Sequence, residues 1–403
     1  MHGRIRILPF IILGLICLLA LYAFNGFEQV VTTYSEGMSQ TIYGIFYGLF
    51  FLSFSSLVLV FFGGNTISKA LRNFFFAFVF IQLFSLLLFD VFVLLDDIRR
   101  LGYLIFQADD LSRSNALISI GLFVTTIPPF LFIAGMILGP HRYKIHELTI
   151  AIENLPPAFE DFKIVQISDI HSGSFYNKKG VQKGVNLVNA QEADVVFFTG
   201  DLVNDDATEM SPFKSIFNQI DSPHGVFSIL GNHDYGDYVQ WPSKEAKAQN
   251  LADLKTVHGD MGWRLLLDEH VYLEKEGEKI ALIGVQNWGK GFHQVGDLEK
   301  AYAGVDDSVK LLLSHDPTHW DEEVTKSYPD IQVTFSGHTH GAQMGFEIGK
   351  YRWSPIQLRY KKWAGLYEIG NQKLYINRGF GFLGYPGRLG IWPEISVIRL
   401  KAK

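Results

Sequence analysis

The sequence predicts an α-helical transmembrane region over residues 1–140 followed by an α/β domain over residues 141–403. Two observations lead there. Hydrophobic residues make up 48% of the 403 positions and charged residues only 19%, a low charge content for a soluble protein of this size. The average also hides a break. Phe, Leu and Ile runs dominate up to about Gly139, and charged, Gly and turn residues reach ordinary globular density from His141 onward. The second part is long enough to bury a sizeable core as one α/β domain.

In the first part, four stretches have the roughly 20 apolar residues that cross a hydrocarbon core: Ile7 to Phe24, Ile42 to Phe62, Phe74 to Leu95, and Ala116 to Leu138. A cleaved signal peptide is the alternative for the first, since Arg4 and Arg6 precede the apolar run and Ala23 could sit at a cleavage site. Three further spans favour a membrane helix. Arg4, Arg6, Lys69, Arg72, Arg142 and Lys144 fall on one side, against Arg99, Arg100 and Arg113 on the other. Lys and Arg mark the cytoplasmic side, so both ends and the second part are expected to face the cytoplasm. Asp90, late in the third span, reads as an interfacial carboxylate beside Asp96 and Asp97 rather than part of an ion path. Pro128-Pro129 predicts a kink in the fourth span.

The formal net charge of -6 shows no basic excess for neutralising nucleic-acid phosphates, so DNA and RNA partners are set aside. The single cysteine, Cys17, lies in the first apolar run. It excludes an intramolecular disulfide and a thiolate metal site.

The second part repeats one arrangement, a short apolar run followed by a turn with metal-ligand side chains. The runs are KIVQIS before Asp169, DVVFFT before Gly200, GVFSIL before Gly231, KLLLS before His315 and QVTFS before Gly337. Helical stretches such as Lys179 to Asn189 and Lys244 to Val257 fill gaps between them. Strand and helix alternation predicts a sheet covered by helices, with the site at the carboxyl ends of strands.

Asp169 and His171, Asp201, Asn232 and His233, His315, and His338 and His340 would then converge from five loops. Carboxylate and imidazole ligands without thiolate suit Mn, Fe or Zn. The set is too large for one ion, and two divalent ions about 3.5–4 Å apart sharing Asp201 would account for it. Gly200, Gly231 and Gly337 each precede a candidate ligand, as expected where backbone turns sharply against an ion.

The ordered set DIH, GDLV, GNHD, a later His in SHDP, and GHTH resembles the calcineurin-like metallophosphoesterase superfamily. The segments HTHGAQ and YINRGFGFLGYPGRLGIWPEI further resemble a bacterial membrane-associated subgroup, which includes enzymes acting on nucleotide-linked lipids. The resemblance covers about Asp161 to Leu400. It implies a β-sandwich flanked by helices, with Asp169, His171 and His340 on one metal, Asn232, His315 and His338 on the other, and Asp201 bridging. His233 is left as the catalytic group that assists the leaving group, a task suited to a side chain titrating near neutrality. Asn204 stands where many relatives carry an Asp that orients this His, and the carboxylate comes one residue later at Asp205.

The expected chemistry is two-metal hydrolysis of a phosphodiester or pyrophosphate bond by hydroxide from a shared water, on a membrane-associated or lipid-linked substrate at the bacterial inner membrane. The alternatives are a phosphomonoesterase or phosphoprotein phosphatase, and a membrane sensor or scaffold with an inert domain. His224, His270 and His293 read as surface or loop residues. The run Lys350 to Trp363 mixes five basic residues with aromatics and reads as a solvated loop or a contact to anionic headgroups. Arg388 could meet a substrate phosphate or pin its own loop.

Overall fold

The computed structural model describes residues 7–62, 69–106, 112–349 and 351–403. Arg4, Arg6 and Lys350, used above in the charge arguments, lie outside them. The chain divides into two compact units, residues 1–134 with 384–386, and residues 135–383 with 387–403.

The first unit is helical: α1 (Ile7–Val31), α2 (Glu36–Phe62), α3 (Lys69–Ile105), α4 (Asn115–Thr125) and most of α5 (Ile127–Leu138), whose last turn is counted with the second unit. Four stretches are long and apolar enough to span a bilayer. The fourth is the pair α4 and α5, interrupted at Thr126 just ahead of Pro128-Pro129, where the proline ring removes a backbone donor and crowds the preceding turn. Asp96 and Asp97 are bound by Arg113, which also bonds Asn25, and by Arg99 and Arg100. Asp90 does not share this network. It is buried, and neither carboxylate oxygen has a hydrogen-bond partner among the described residues.

The second unit is a sandwich of two six-stranded sheets with helices on its outer faces. One sheet has the order β1 (Lys144–Ile152), β14 (Glu394–Ala402), β2 (Lys163–Ile167), β3 (Val195–Phe198), β4 (Val226–Ser228) and β5 (Trp263–Leu265). The other runs β12 (Gly365–Ile369), β13 (Gln372–Ile376), β9 (Val333–Ser336), β8 (Lys310–Leu313), β7 (Glu278–Gly284) and β6 (Glu269–Lys275). The strands β2, β3, β4 and β5 are mutually parallel, as are β13, β9, β8 and β7. A small antiparallel pair, β10 (Phe346–Ile348) and β11 (Tyr351–Trp353), stands apart.

The composition of the strands explains their position. VVFF in β3 and KLLL in β8 are buried along their whole length, as expected of parallel strands covered on both faces. Ile164, Val195 and Phe197 meet Leu282, Leu311, Val333 and Phe335 between the sheets, with Phe197 edge-on to Phe335 at 5.3 Å. Each such side chain contributes roughly 1.5–3 kcal/mol of burial.

On the outer face of the first sheet, Val165, Val196 and Phe198 are covered by α6 (Lys178–Asn189), α7 (Lys214–Phe217) and α8 (Lys244–Asp260). Helix α6 starts where the Asn177 side chain accepts from Gly180 N–H. It turns Val181, Val185 and Val188 inward, the spacing of one helical face. On the other sheet Ile283 and Leu312 are covered by α9 (Leu298–Tyr302) and Trp320. All five predicted strands and both predicted helices are present, and two packed sheets replace the single sheet that strand-helix alternation alone suggests.

Candidate metal centre

Each ligand-type side chain sits in the turn after a parallel strand. Asp169 and His171 follow β2, Asp201 follows β3, Asn232 and His233 follow β4, His315 follows β8, and His338 and His340 follow β9. The first sheet supplies three loops and the second two, so the site lies where the carboxyl ends of both sheets meet. The turns are tight enough to force unusual backbone. Asp169, His171, Asp201, His338 and His340 all have φ between 47° and 71°, the left-handed region that non-glycine residues seldom occupy and that collects at functional sites.

The preceding glycines are required by close approach. Gly200 has φ 94°, and a Cβ there would come within 2.6 Å of Gly231 N and 2.9 Å of His315 Nδ1. A Cβ on Gly337 would overlap the Ser168 hydroxyl and an Asp169 oxygen.

The side chains form two groups, Asp169, His171 and His340, and Asp201, His315 and His338, the ligand atoms of each lying within 4.8 Å of one another. Asn232 joins the second, its Oδ1 lying 2.8 Å from His338 Nδ1. Asp201 touches both: its Oδ2 is 3.1 Å from His315 Nε2 and 3.5 Å from His171 Nε2. His233 Nδ1 lies 2.8 Å from the Asn204 carbonyl oxygen. The backbone of Asn204 therefore orients this ring, which answers the question raised by the missing carboxylate.

The donor set fits divalent cations. His171 Nε2 faces His340 Nε2 at 3.0 Å, and His338 Nδ1 faces His315 Nε2 at 3.2 Å. Two lone pairs cannot point at each other across such a gap without a proton or a cation between them. The electrostatics say the same. Burial opposes a charged His315, yet the adjacent Asp201 carboxylate outweighs it and pushes the imidazole up to about 10. Burial likewise opposes ionisation of Asp169 and Asp201, but neighbouring imidazoles, His340 for Asp169 and His315 for Asp201, hold both below the usual carboxylate range. Burial keeps His171 and His338 low and neutral, the protonation state a metal ligand needs. Two buried carboxylates, with His171 and His338 kept neutral, make a site that draws in positive charge.

Four supporting residues were not anticipated. Asp234 accepts hydrogen bonds from the backbone N–H groups of Asp201, Leu202, Val203 and Gly231, tying two ligand loops together. Its burial, then the charge of Asp201, push the carboxyl up to about 7. The hydroxyl of Tyr360 is 2.8 Å from His338 Nε2, and Asp316 Oδ2 is 3.4 Å from the same nitrogen. Tyr238, half exposed, accepts from Asn232 Nδ2 and lies 4.3 Å from the His233 ring. Asp234 and Asp316 each follow a motif histidine directly, a signal that was available. Tyr360 and Tyr238 carry none.

Arg388 is wholly buried, donating to the carbonyl oxygens of Arg378, His340, Gly379 and Gly381. It pins the loop behind His340 and cannot reach a substrate. Of the histidines set aside, His293 is exposed, while His270 is half-buried with Nδ1 at 2.9 Å from the Ala301 carbonyl, and His224 is half-buried with its ring 5.3 Å from that of Phe162.

Known proteins match this arrangement. Residues 162–342 fit the family described as "Calcineurin-like phosphoesterase", and residues 4–140 fit "Probable Calcineurin-like phosphoesterase, transmembrane domain". A metallophosphoesterase of Helicobacter pylori, itself uncharacterised, is 31% identical over 276 residues, 68% of each chain. The chain is a calcineurin-like metallophosphoesterase. It is an enzyme family that uses divalent metals, and the fit to its transmembrane domain, with four apolar helices, makes this member a membrane protein.

A "Transmembrane protein with metallophosphoesterase domain" of Bos taurus is 28% identical over 293 residues, 70% of this chain and 62% of that protein. The chain thus matches less than two thirds of that relative's length. UDP-2,3-diacylglucosamine pyrophosphatase LpxG of Chlamydia muridarum is 26% identical over 318 residues, covering 68% of this chain and 94% of the relative.

Proposed function

We propose that this metallophosphoesterase hydrolyses a phosphodiester or pyrophosphate bond in a membrane-associated, lipid-linked substrate. The observation that carries the reading is the double ligand group sharing Asp201 in a chain that also holds four membrane spans. The name of the chlamydial relative, a pyrophosphatase of a diacylated sugar nucleotide, supports the same substrate class.

Asp169, His171 and His340 would hold one divalent ion, and Asn232, His315 and His338 the other, with Asp201 between them. Mn, Fe or Zn bound there supplies hydroxide near neutral pH and withdraws charge from the phosphoryl oxygens. The chain's own residues do the rest. His233, its Nδ1 fixed on the Asn204 carbonyl, carries a proton on Nε2 to the departing oxygen. Tyr238 walls one side of His233 and keeps Asn232 aimed at its ligand position. The Lys and Arg distribution around the spans supports a catalytic unit on the cytoplasmic side of the membrane.

The test is hydrolysis of bis(p-nitrophenyl) phosphate beside p-nitrophenyl phosphate by the full chain in detergent. It is stripped with chelator, restored with Mn, Fe or Zn, and compared with His233→Ala. Metal-dependent diester cleavage that collapses in the variant is the expected result. Cleavage of the monoester alone would replace the proposal with a phosphomonoesterase, and no cleavage of either by folded, metal-loaded protein would leave a sensor or scaffold.

A further inference from the structure

The hairpin β10–β11 has its alternation turned inside out. Its register pairs Phe346 with Trp353, Glu347 with Arg352, and Ile348 with Tyr351. Successive side chains of a strand point to opposite faces, so the charged pair occupies one face and the four apolar residues the other. The charged face turns inward. Glu347 takes two hydrogen bonds from the Arg378 guanidinium at 2.6 and 3.1 Å, and the Arg352 guanidinium lies 5.7 Å from the Trp363 ring and 5.3 Å from the Tyr367 ring. The apolar face turns to solvent, with Phe346 47%, Ile348 70%, Tyr351 68% and Trp353 48% exposed. Leu358, just beyond, is 94% exposed. A contiguous apolar patch of this kind marks an interaction surface.

Three observations select a bilayer as its occupant. The chain spans a membrane, and only residues 139–143 separate α5 from β1, a tether that reaches roughly 18 Å at most. The patch has the Trp, Tyr and Phe composition of interfacial belts. It is edged by cations: Arg359 and Lys361 are exposed and form no ion pair among the described residues, and the one acid between Phe346 and Trp363, Glu347, is consumed by Arg378. That combination complements anionic headgroups.

We propose that the β10–β11 hairpin seats its apolar face in the headgroup region of the bilayer, holding the mouth of the metal centre against the lipid surface. The connection to the site is short. The Arg359 guanidinium lies 5.2 Å from the Phe292 ring and 5.5 Å from the Tyr360 ring. Phe292 is edge-on to His338 at 4.9 Å, and Tyr360 bonds the same histidine. A phosphorylated lipid arriving beside the hairpin would meet Arg359 first and the ligand groups next.

The test reads depth rather than turnover, so it succeeds or fails independently of the hydrolytic reading. Cys17→Ala removes the only cysteine, and Ile348→Cys then carries a nitroxide on the full chain in nanodiscs of phosphatidylethanolamine and phosphatidylglycerol. Ala252→Cys, exposed on α8, is the reference. The expected result is a label at 348 that relaxes with oxygen in preference to an aqueous nickel complex, and the opposite preference at 252. As a second measurement on otherwise native protein, brominated lipids should quench a tryptophan component that Trp353→Phe removes. A label at 348 open to nickel, or shielded from both agents as a protein contact would be, overturns the proposal, as does quenching unchanged by Trp353→Phe.

Discussion

Behind the ligand group of Asp201, His315 and His338, each imidazole has its outer nitrogen on an oxygen. His315 Nδ1 is 2.7 Å from the Thr199 carbonyl, and His338 Nε2 meets Tyr360 and Asp316. Behind the group of Asp169, His171 and His340 the outer nitrogens lack such support. His171 Nδ1 has no hydrogen-bond partner among the described residues, and His340 Nδ1 faces Arg388 Nη2 at 3.3 Å. Oxygen partners raise ligand basicity and fix the ring, whereas a cation behind the ring does the reverse. Two positions built from nearly the same residue types should therefore hold metal unequally, the Asp201, His315 and His338 side more firmly.

The largest effect should come from the residue that joins the two groups. Asp201→Asn keeps the shape and the contact to His233 N–H but removes the shared charge, and should lower diester hydrolysis by at least about 10³-fold, roughly 4 kcal/mol, with little change in the unfolding of chelated protein. Retained turnover would break the picture of two linked positions.

His233→Ala should cost about 10²–10³-fold in kcat while metal content stays at the wild-type level. A loss of metal would mean that this ring belongs to the ligand set after all.

Asp316→Asn tests the comparison directly. It should weaken metal binding by about 10–100-fold, only at the firmer position, seen in calorimetric metal titration as two similar sites where the wild type shows one tight and one weaker.

The smallest effect sets the range in which these titrations are valid. His258 in α8 is enclosed, and burial lowers its pKa to about 3. As pH falls below the ordinary 6.5, the unfolded chain takes up a proton that the folded one refuses, so stability is intact above 6.5 and declines towards pH 3. By pH 5 the loss is about 2 kcal/mol. Urea midpoints of the chelated protein should fall accordingly, and less so in His258→Gln.

How much of this could be read in advance follows from chain distance. Every residue in the two ligand groups stands within a few positions of a buried apolar run, so local pattern located them together with the strands that carry them. Arg388 was ambiguous because its partners, the carbonyl groups of His340 and Arg378, come from other loops. The tilt of the hairpin was illegible for the same reason. FEI and YRW alternate, which says that two faces differ, but the inward face is chosen by Glu347 meeting Arg378, 31 residues away. The strands β1 and β14 lacked any local signal of their pairing, since they meet across the whole unit.

That pairing has a consequence for biosynthesis. β14 lies between β1 and β2 in the first sheet, and it follows every other strand of that sheet in the chain. Until β14 is made, β1 and β2 have no neighbour between them, although every side chain of the two candidate ligand groups has already been synthesised. Domains generally close as units when their final element is available. The membrane helices emerge before the catalytic sheet, and β1 can join that sheet only after residues 394–402 leave the exit tunnel, so the nascent chain passes through a stage in which it is already anchored while the strand that follows the anchor is still unpaired.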